Sequence, residues 1–324
     1  MPNNGWPLTL VSTALHFLVD GLCLCALMLL VPWTDASQVL GVLLTYNVMA
    51  FASQPLTGIM ADKVRGLHWM LFAAGVLFAL SVMAISLLLT LWAWPPAWCV
   101  WAVAFTLGCG NSLFHVWGGK LVVLRQGNDM RPIGVFVSSG ALGLSVGIAF
   151  CSWPLLFTFL LAFCLLSAVA VRTDMVLGRC MAGSVHRHGL MLRPLWVCGA
   201  LLALIIVVMF RSYVGECFSS GIVKTPRTML LLIGAVAMAG KMAGGWLACR
   251  LGIVRSMTFV IVAAVACFFF RQSGVAVLLL GLLMINCTMP VTLYLANVVL
   301  KGREGLAFGL LAAALLPGYL LAVM

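Results

Sequence analysis

Apolar runs of about twenty residues, separated by short polar breaks, recur along the whole chain. A helix rises ~1.5 Å per residue and the hydrocarbon core of a bilayer is ~30 Å thick, so each run can cross once as a helix. The pattern predicts eleven spans, at about 8–31, 37–59, 67–92, 97–120, 132–151, 154–171, 195–216, 228–247, 256–270, 274–299 and 305–324. Most breaks are brief and carry turn formers, as in WAWPPAW at 92–98 and GNDMRP at 127–132. One is long, polar and basic, 172–194, and reads as a linker between a six-span bundle at 1–171 and a five-span bundle at 195–324. The N-terminal MPNNGWPLTL has no lysine or arginine, and the run behind it contains Asp20, so the first apolar run is expected to stay as a span rather than be cleaved as a signal.

The polar residues inside these runs are not scattered evenly. His16 and Asp20 stand four apart in the first span and share one helix face. The fourth span carries Asn111, Ser112 and His115, the seventh Arg211, Ser212 and Tyr213, and the tenth Asn286, Thr288, Thr292 and Asn297. A charge at the bilayer centre costs roughly 2.5–3.5 kcal/mol on insertion scales, so such groups should face protein or water rather than lipid. Counting at ~1.5 Å per residue puts His16, Asp20, Arg211 and Asn286 at mid-depth and His115 nearer the cytoplasm. Lys120 and Lys241 fall near cytoplasmic span ends, where a lysine can snorkel, and Glu216 ends its span in solvent.

Composition agrees with a polytopic membrane protein: 64% of the residues are hydrophobic and only 8% charged. With a cytoplasmic N-terminus, twelve lysines and arginines fall in inside connections (Lys63, Arg65, Arg125, Arg131, Arg172, Arg179, Arg187, Arg193, Arg250, Arg255, Lys301, Arg303), against three outside, Lys224, Arg227 and Arg271. The net charge of +11 is therefore a matter of topology, with lipid headgroups as partners and no nucleic acid. The twelve cysteines contain no CxxC pair and read as small apolar side chains. No metal-ligand spacing, nucleophile elbow or phosphate loop occurs, so no enzyme activity, metal or cofactor is expected.

The loop after the second span reads GIMADKVRG, with Gly58, Asp62, Lys63 and Gly66 in a glycine, acid, base, glycine frame. The loop after the eighth span, GWLACRLG, repeats that frame through Gly245, Arg250 and Gly252, with Cys249 in place of the acid. This resembles the paired loop signature of the major facilitator superfamily, and the resemblance covers essentially the whole chain. HFLVDG, LGCGNSLFHVWGGK, RSYVG and GREGLAFGL further resemble the fosmidomycin-resistance-like branch of bacterial carriers. The resemblance implies an all-α fold of two bundles in the cytoplasmic membrane, lined by the first, fourth, seventh and tenth spans, with Asp62 holding the cytoplasmic side shut. Because Cys249 cannot do the same, the lock is expected to be one-sided. Such carriers have twelve spans; here the eleventh reaches Met324, so the twelfth is expected to be missing by truncation or by loss.

Arg211 is fixed positive, His16 and His115 can become so, and Asp20 is the one acid inside the lining spans, Glu216 standing at a span end, a balance that favours a small anion. The expected function is proton-linked export of a small organic anion or drug. Asp20 would carry the proton, His16 would tune it and Arg211 would alternate between Asp20 and the substrate. The cavity residues would be His115, Asn111, Arg211, Tyr213, Asn286 and Thr292. Uptake by the same architecture and a non-transporting membrane protein are the alternatives.

Overall fold

The computed structural model describes residues 5–64, 66–91, 96–126, 129–180, 194–222 and 227–323. Among them all regular structure is helical: α1 Trp6–Leu30, α2 Ala36–Asn47, α3 Gln54–Lys63, α4 His68–Leu91, α5 Ala97–Gln126, α6 Met130–Ala149, α7 Trp153–Cys180, α8 Pro194–Ile222, α9 Arg227–Leu251, α10 Ile253–Phe269, α11 Val275–Asn286, α12 Met289–Val299, α13 Glu304–Ala313 and α14 Leu315–Val323. Several pair end to end into single spans. α2 runs through a π-helical turn, Val48–Ala52, into α3, α11 continues into α12, and α13 into α14.

Ten helical stretches among the described residues are long and apolar enough to cross a membrane. The ninth predicted span, at 256–270, is the 17-residue α10, about 25 Å long and at the lower limit for a crossing. The outward surface is greasy, with Phe72, Leu161, Phe210 and Val262 all exposed, as a lipid-facing surface requires. The chain is a multi-pass membrane protein. Of the long break at 172–194, residues 172–180 extend α7, and 181–193 lie outside the described residues, as do Arg65 and Lys224.

One large apolar core is built mainly from α1, α4, α5, α6 and α7, and a smaller one by α8, α10 and α11 around Phe218. Between these groups α6 lies along α9, and α3 along α13. Both contacts depend on glycine. At Gly58 the backbone of α3 meets that of Gly305 so closely that a Cβ would overlap it, and Gly245 on α9 meets Met130 and Arg131 on α6 in the same way. Gly66 and Gly252 take φ of +84° and +82°, the left-handed turn that ends each loop frame. The loop repeat legible in the sequence is thus a repeat of geometry.

Candidate transport site

His16 and Asp20 face α5 and α6 from the middle of α1. Gly140 on α6 makes room for them, since a Cβ there would overlap both the Asp20 carboxylate and the His16 ring. The His16 Nδ1–H donates to the Phe136 carbonyl at 2.7 Å. On α5, the His115 Nδ1–H donates to the Asn111 carbonyl at 3.0 Å. Carbonyls only accept, so both rings are fixed in the same tautomer and turn their Nε2 atoms inward. Those two atoms lie 2.8 Å apart. Asp20 Oδ2 is 3.2 Å from His16 Nε2, and Oδ1 is 3.6 Å from His115 Nε2. The Asn111 amide donates to Asp20 at 3.2 Å and to the Tyr46 hydroxyl at 3.1 Å, with the Cys23 sulfur 3.8 Å away. All of these groups are buried.

His115 therefore sits level with His16 rather than nearer one end. α5 runs on to Gln126, six residues past the predicted span end, which brings His115 to ~17 Å from that end while His16 is ~15 Å from the start of α1. Among the described residues, His16, Asp20 and His115 are the one group of histidine, cysteine and acidic side chains that converges closely enough to face a cation. Linear spacing did not reveal it because its third member comes from another helix. The separation of the rings is that of a hydrogen bond; a tetrahedral ion with bonds of 2.0–2.1 Å would hold the two nitrogens about 3.3 Å apart.

Arg211, on α8, is 6% exposed, and its Nη1 is buried without a partner; it forms no hydrogen bond or ion pair among the described residues. It does not touch Asp20. Lys241 on α9 is half-buried, makes no hydrogen bond among the described residues, and is within electrostatic reach of Arg211, Asp20 and His115. Lys241 is thus an interior group, not the snorkelling end residue that counting suggested. Tyr213 is half-buried against the smaller apolar core, and Asn286 and Thr292 bond to their own helix backbone, at Leu282 and Met289. These three do not join the His16 cluster in this conformation.

The loop residues form a second site at the basic end of the molecule. The Asp62 carboxylate accepts the Gly305 and Leu306 N–H groups at the start of α13, each at 2.9 Å, where the helix dipole favours a negative charge. Lys120 is buried against it, with Nζ donating to Asp62 Oδ1 at 2.9 Å and to the Ala61 carbonyl at 2.7 Å. Lys120 is therefore a partner of Asp62 rather than a snorkelling residue. At the matching place on α9, Cys249 lies 3.6 Å from Asp129, which caps its own helix α6 by accepting the Arg131 N–H. Burial raises the Asp129 pKa, but hydrogen bonds from Arg131 outweigh this and hold it below the usual carboxylate range. Lys63, Arg250, Gly66 and Gly252 are exposed.

No protein-family model matches the chain, and no curated protein matches it by sequence. Solved structures do. The chain is similar to the E. coli fucose:proton symporter FucP in its N162A form, with a TM-score of 0.64 at 11% identity over 98% of this chain and 90% of that one. FucP in an outward conformation gives a TM-score of 0.64 at 11% identity over 99% and 91%. The human organic anion transporter MFSD10 (TETRAN) gives 0.65 at 16% identity over 97% and 92%. The fold is that of the major facilitator transporters.

Proposed function

We propose that the chain is a secondary transporter of the major facilitator type that moves a small organic anion in linkage with protons. The observation that carries this reading is the buried Arg211, whose Nη1 has no partner among the described residues, with a second cation, Lys241, within electrostatic reach of both it and the His16–Asp20–His115 cluster. A buried cation without a partner is costly, and an anionic ligand supplies the missing charge, with the Arg211 fork able to hold a carboxylate or phosphonate by two hydrogen bonds. The histidine and aspartate cluster holds the proton. The two bundles, 1–171 and 195–324, would rock about this interior, with the N-terminus in the cytoplasm of a bacterial cell and the Asp62 contact closing the cytoplasmic side.

The resemblance to exporters implies proton-driven efflux, which requires the proton and the substrate to exclude each other. The charges favour the opposite linkage. An anion next to Arg211 and Lys241 makes the neighbouring cluster easier to protonate, and a protonated cluster cancels the pull of Asp20 on Lys241 and leaves that positive charge to the anion. Each occupancy promotes the other, so the reading that the geometry supports best is movement of both in the same direction.

A thermal-shift series on purified protein tests the binding half. Dicarboxylates and organophosphonates should stabilise it in a concentration-dependent way, more so at low pH, and Arg211→Gln should abolish the effect. Stabilisation by cationic drugs, or anion stabilisation unchanged in Arg211→Gln, would contradict the proposal.

A further inference from the structure

The contact between the two imidazoles carries more than membership of a polar cluster. Each ring spends its Nδ1–H on a backbone carbonyl, so in the neutral form each Nε2 is a bare lone pair. Two lone pairs facing each other at 2.8 Å repel. Two added protons would oppose two N–H groups and repel again. One proton alone turns the contact into an N–H···N hydrogen bond. The Asp20 oxygens, at 3.2 and 3.6 Å, are farther off than the 2.7–2.9 Å of a short charge-assisted bond. The carboxylate is placed as a counter-charge to the bridge rather than as its seat.

Resting on the proton-linked reading above, we propose that the coupling proton is held between His16 Nε2 and His115 Nε2 as one shared bridge, and that His115 carries it equally with His16. Loading forms a single N–H bond and unloading breaks it. The charge on the three side chains moves from −1 to 0, and the proton is taken from and returned to water on the two sides of the membrane. Asn111 is a positioning residue: its carbonyl fixes His115 and its amide fixes Asp20. Among the described residues the other ionisable groups around the bridge are Cys23 on α1, Tyr46 on α2 and Lys241 on α9, and Lys241 is in turn within electrostatic reach of Arg211 on α8. α6 presents the Phe136 carbonyl and Gly140 there, and no ionisable side chain.

Solid-state NMR of the full chain in lipid nanodiscs, with ¹⁵N-labelled histidine rings and no substrate, tests this directly. The expected result is a correlation between the two Nε2 atoms through a bridging proton, with both Nδ1 atoms protonated and the two rings losing one proton together as the pH rises. Asp20→Asn should keep the bridge but release its proton at lower pH, by roughly 1–3 units, because the counter-charge is gone. His115→Gln should remove the correlation and leave His16 to titrate alone. Rings that titrate independently, a ring bearing its proton on Nε2 rather than Nδ1, or an Asp20→Asn bridge with an unchanged titration would each overturn the proposal. The readout needs no transport. A bridge present in a protein that moves no protons with any solute would sink the transport reading and leave this one standing, and solute-driven proton flux without a bridge would do the reverse.

Discussion

Arg211 is the residue whose environment fits worst with a purely structural role. A guanidinium 6% exposed and without a hydrogen-bond partner among the described residues lowers the stability of the fold, so its removal separates two accounts. Arg211→Met should raise the thermal midpoint of the substrate-free protein while abolishing anion binding; a lowered midpoint with binding intact would assign it to packing. Arg211→Lys keeps the charge but loses the two-pronged grip, and anion affinity should fall about tenfold or more. At this scale the sequence was partly readable. His16, Asp20, Asn111 and His115 stood out because polar groups in apolar runs are few. Tyr46 did not, since a tyrosine in a span reads as an apolar ring, and Lys241 was misread because its distance from the helix end looked short enough to snorkel. That His115 meets His16, and that Asn286 and Thr292 turn to their own backbone, depends on how far α5 extends and how the helices rotate, which periodicity leaves open.

Among the elements, the joint between α3 and α13 is the contact proposed to close the cytoplasmic side. Asp62→Asn should weaken the cap on α13 and leave the Lys120 ammonium buried without its counter-ion, a loss of about 3–5 kcal/mol for a broken buried pair. Asp62→Asn combined with Lys120→Met should lose less than Asp62→Asn alone, because no buried charge is left behind. Distances between spin labels on the ends of α3 and α13 read the opening, and additive effects of the two changes would contradict the coupling. On the α9 side, Cys249→Ser should change little, whereas Cys249→Asp should set a second carboxylate beside Asp129 and loosen the start of α6. The depressed pKa of Asp129 gives the cap a pH signature. Its contribution is full above the unfolded carboxylate value of about 3.9 and is lost only as the pH falls through the lower folded value. The α6 cap should therefore be constant from neutral pH down to about 5, and a loosening of α6 within that range would contradict it. The loop frame was legible because glycine leaves a fixed spacing in the sequence. The contact of Cys249 with Asp129 was not, because it links two loops 120 residues apart.

For the whole molecule, the alternation of apolar runs and polar breaks predicted nearly every crossing, since a bilayer leaves a chain few other ways to satisfy its backbone. The weak point was α10, whose 17 residues barely suffice. Impermeant thiol labelling of otherwise cysteine-free protein checks it: Ser273→Cys should be modified from outside the cell and Arg250→Cys protected, and the same sidedness at both positions would mean that α10 does not cross. The central claim is that a proton and a small anion occupy the interior together and move together. It is tested most directly in liposomes of purified protein with a trapped pH indicator, to which a membrane-impermeant organophosphonate or dicarboxylate is added outside. The account predicts acidification of the lumen as the anion enters, absent in protein-free vesicles and lost in His115→Gln; alkalinisation on anion entry, or anion entry with no proton movement, would contradict it.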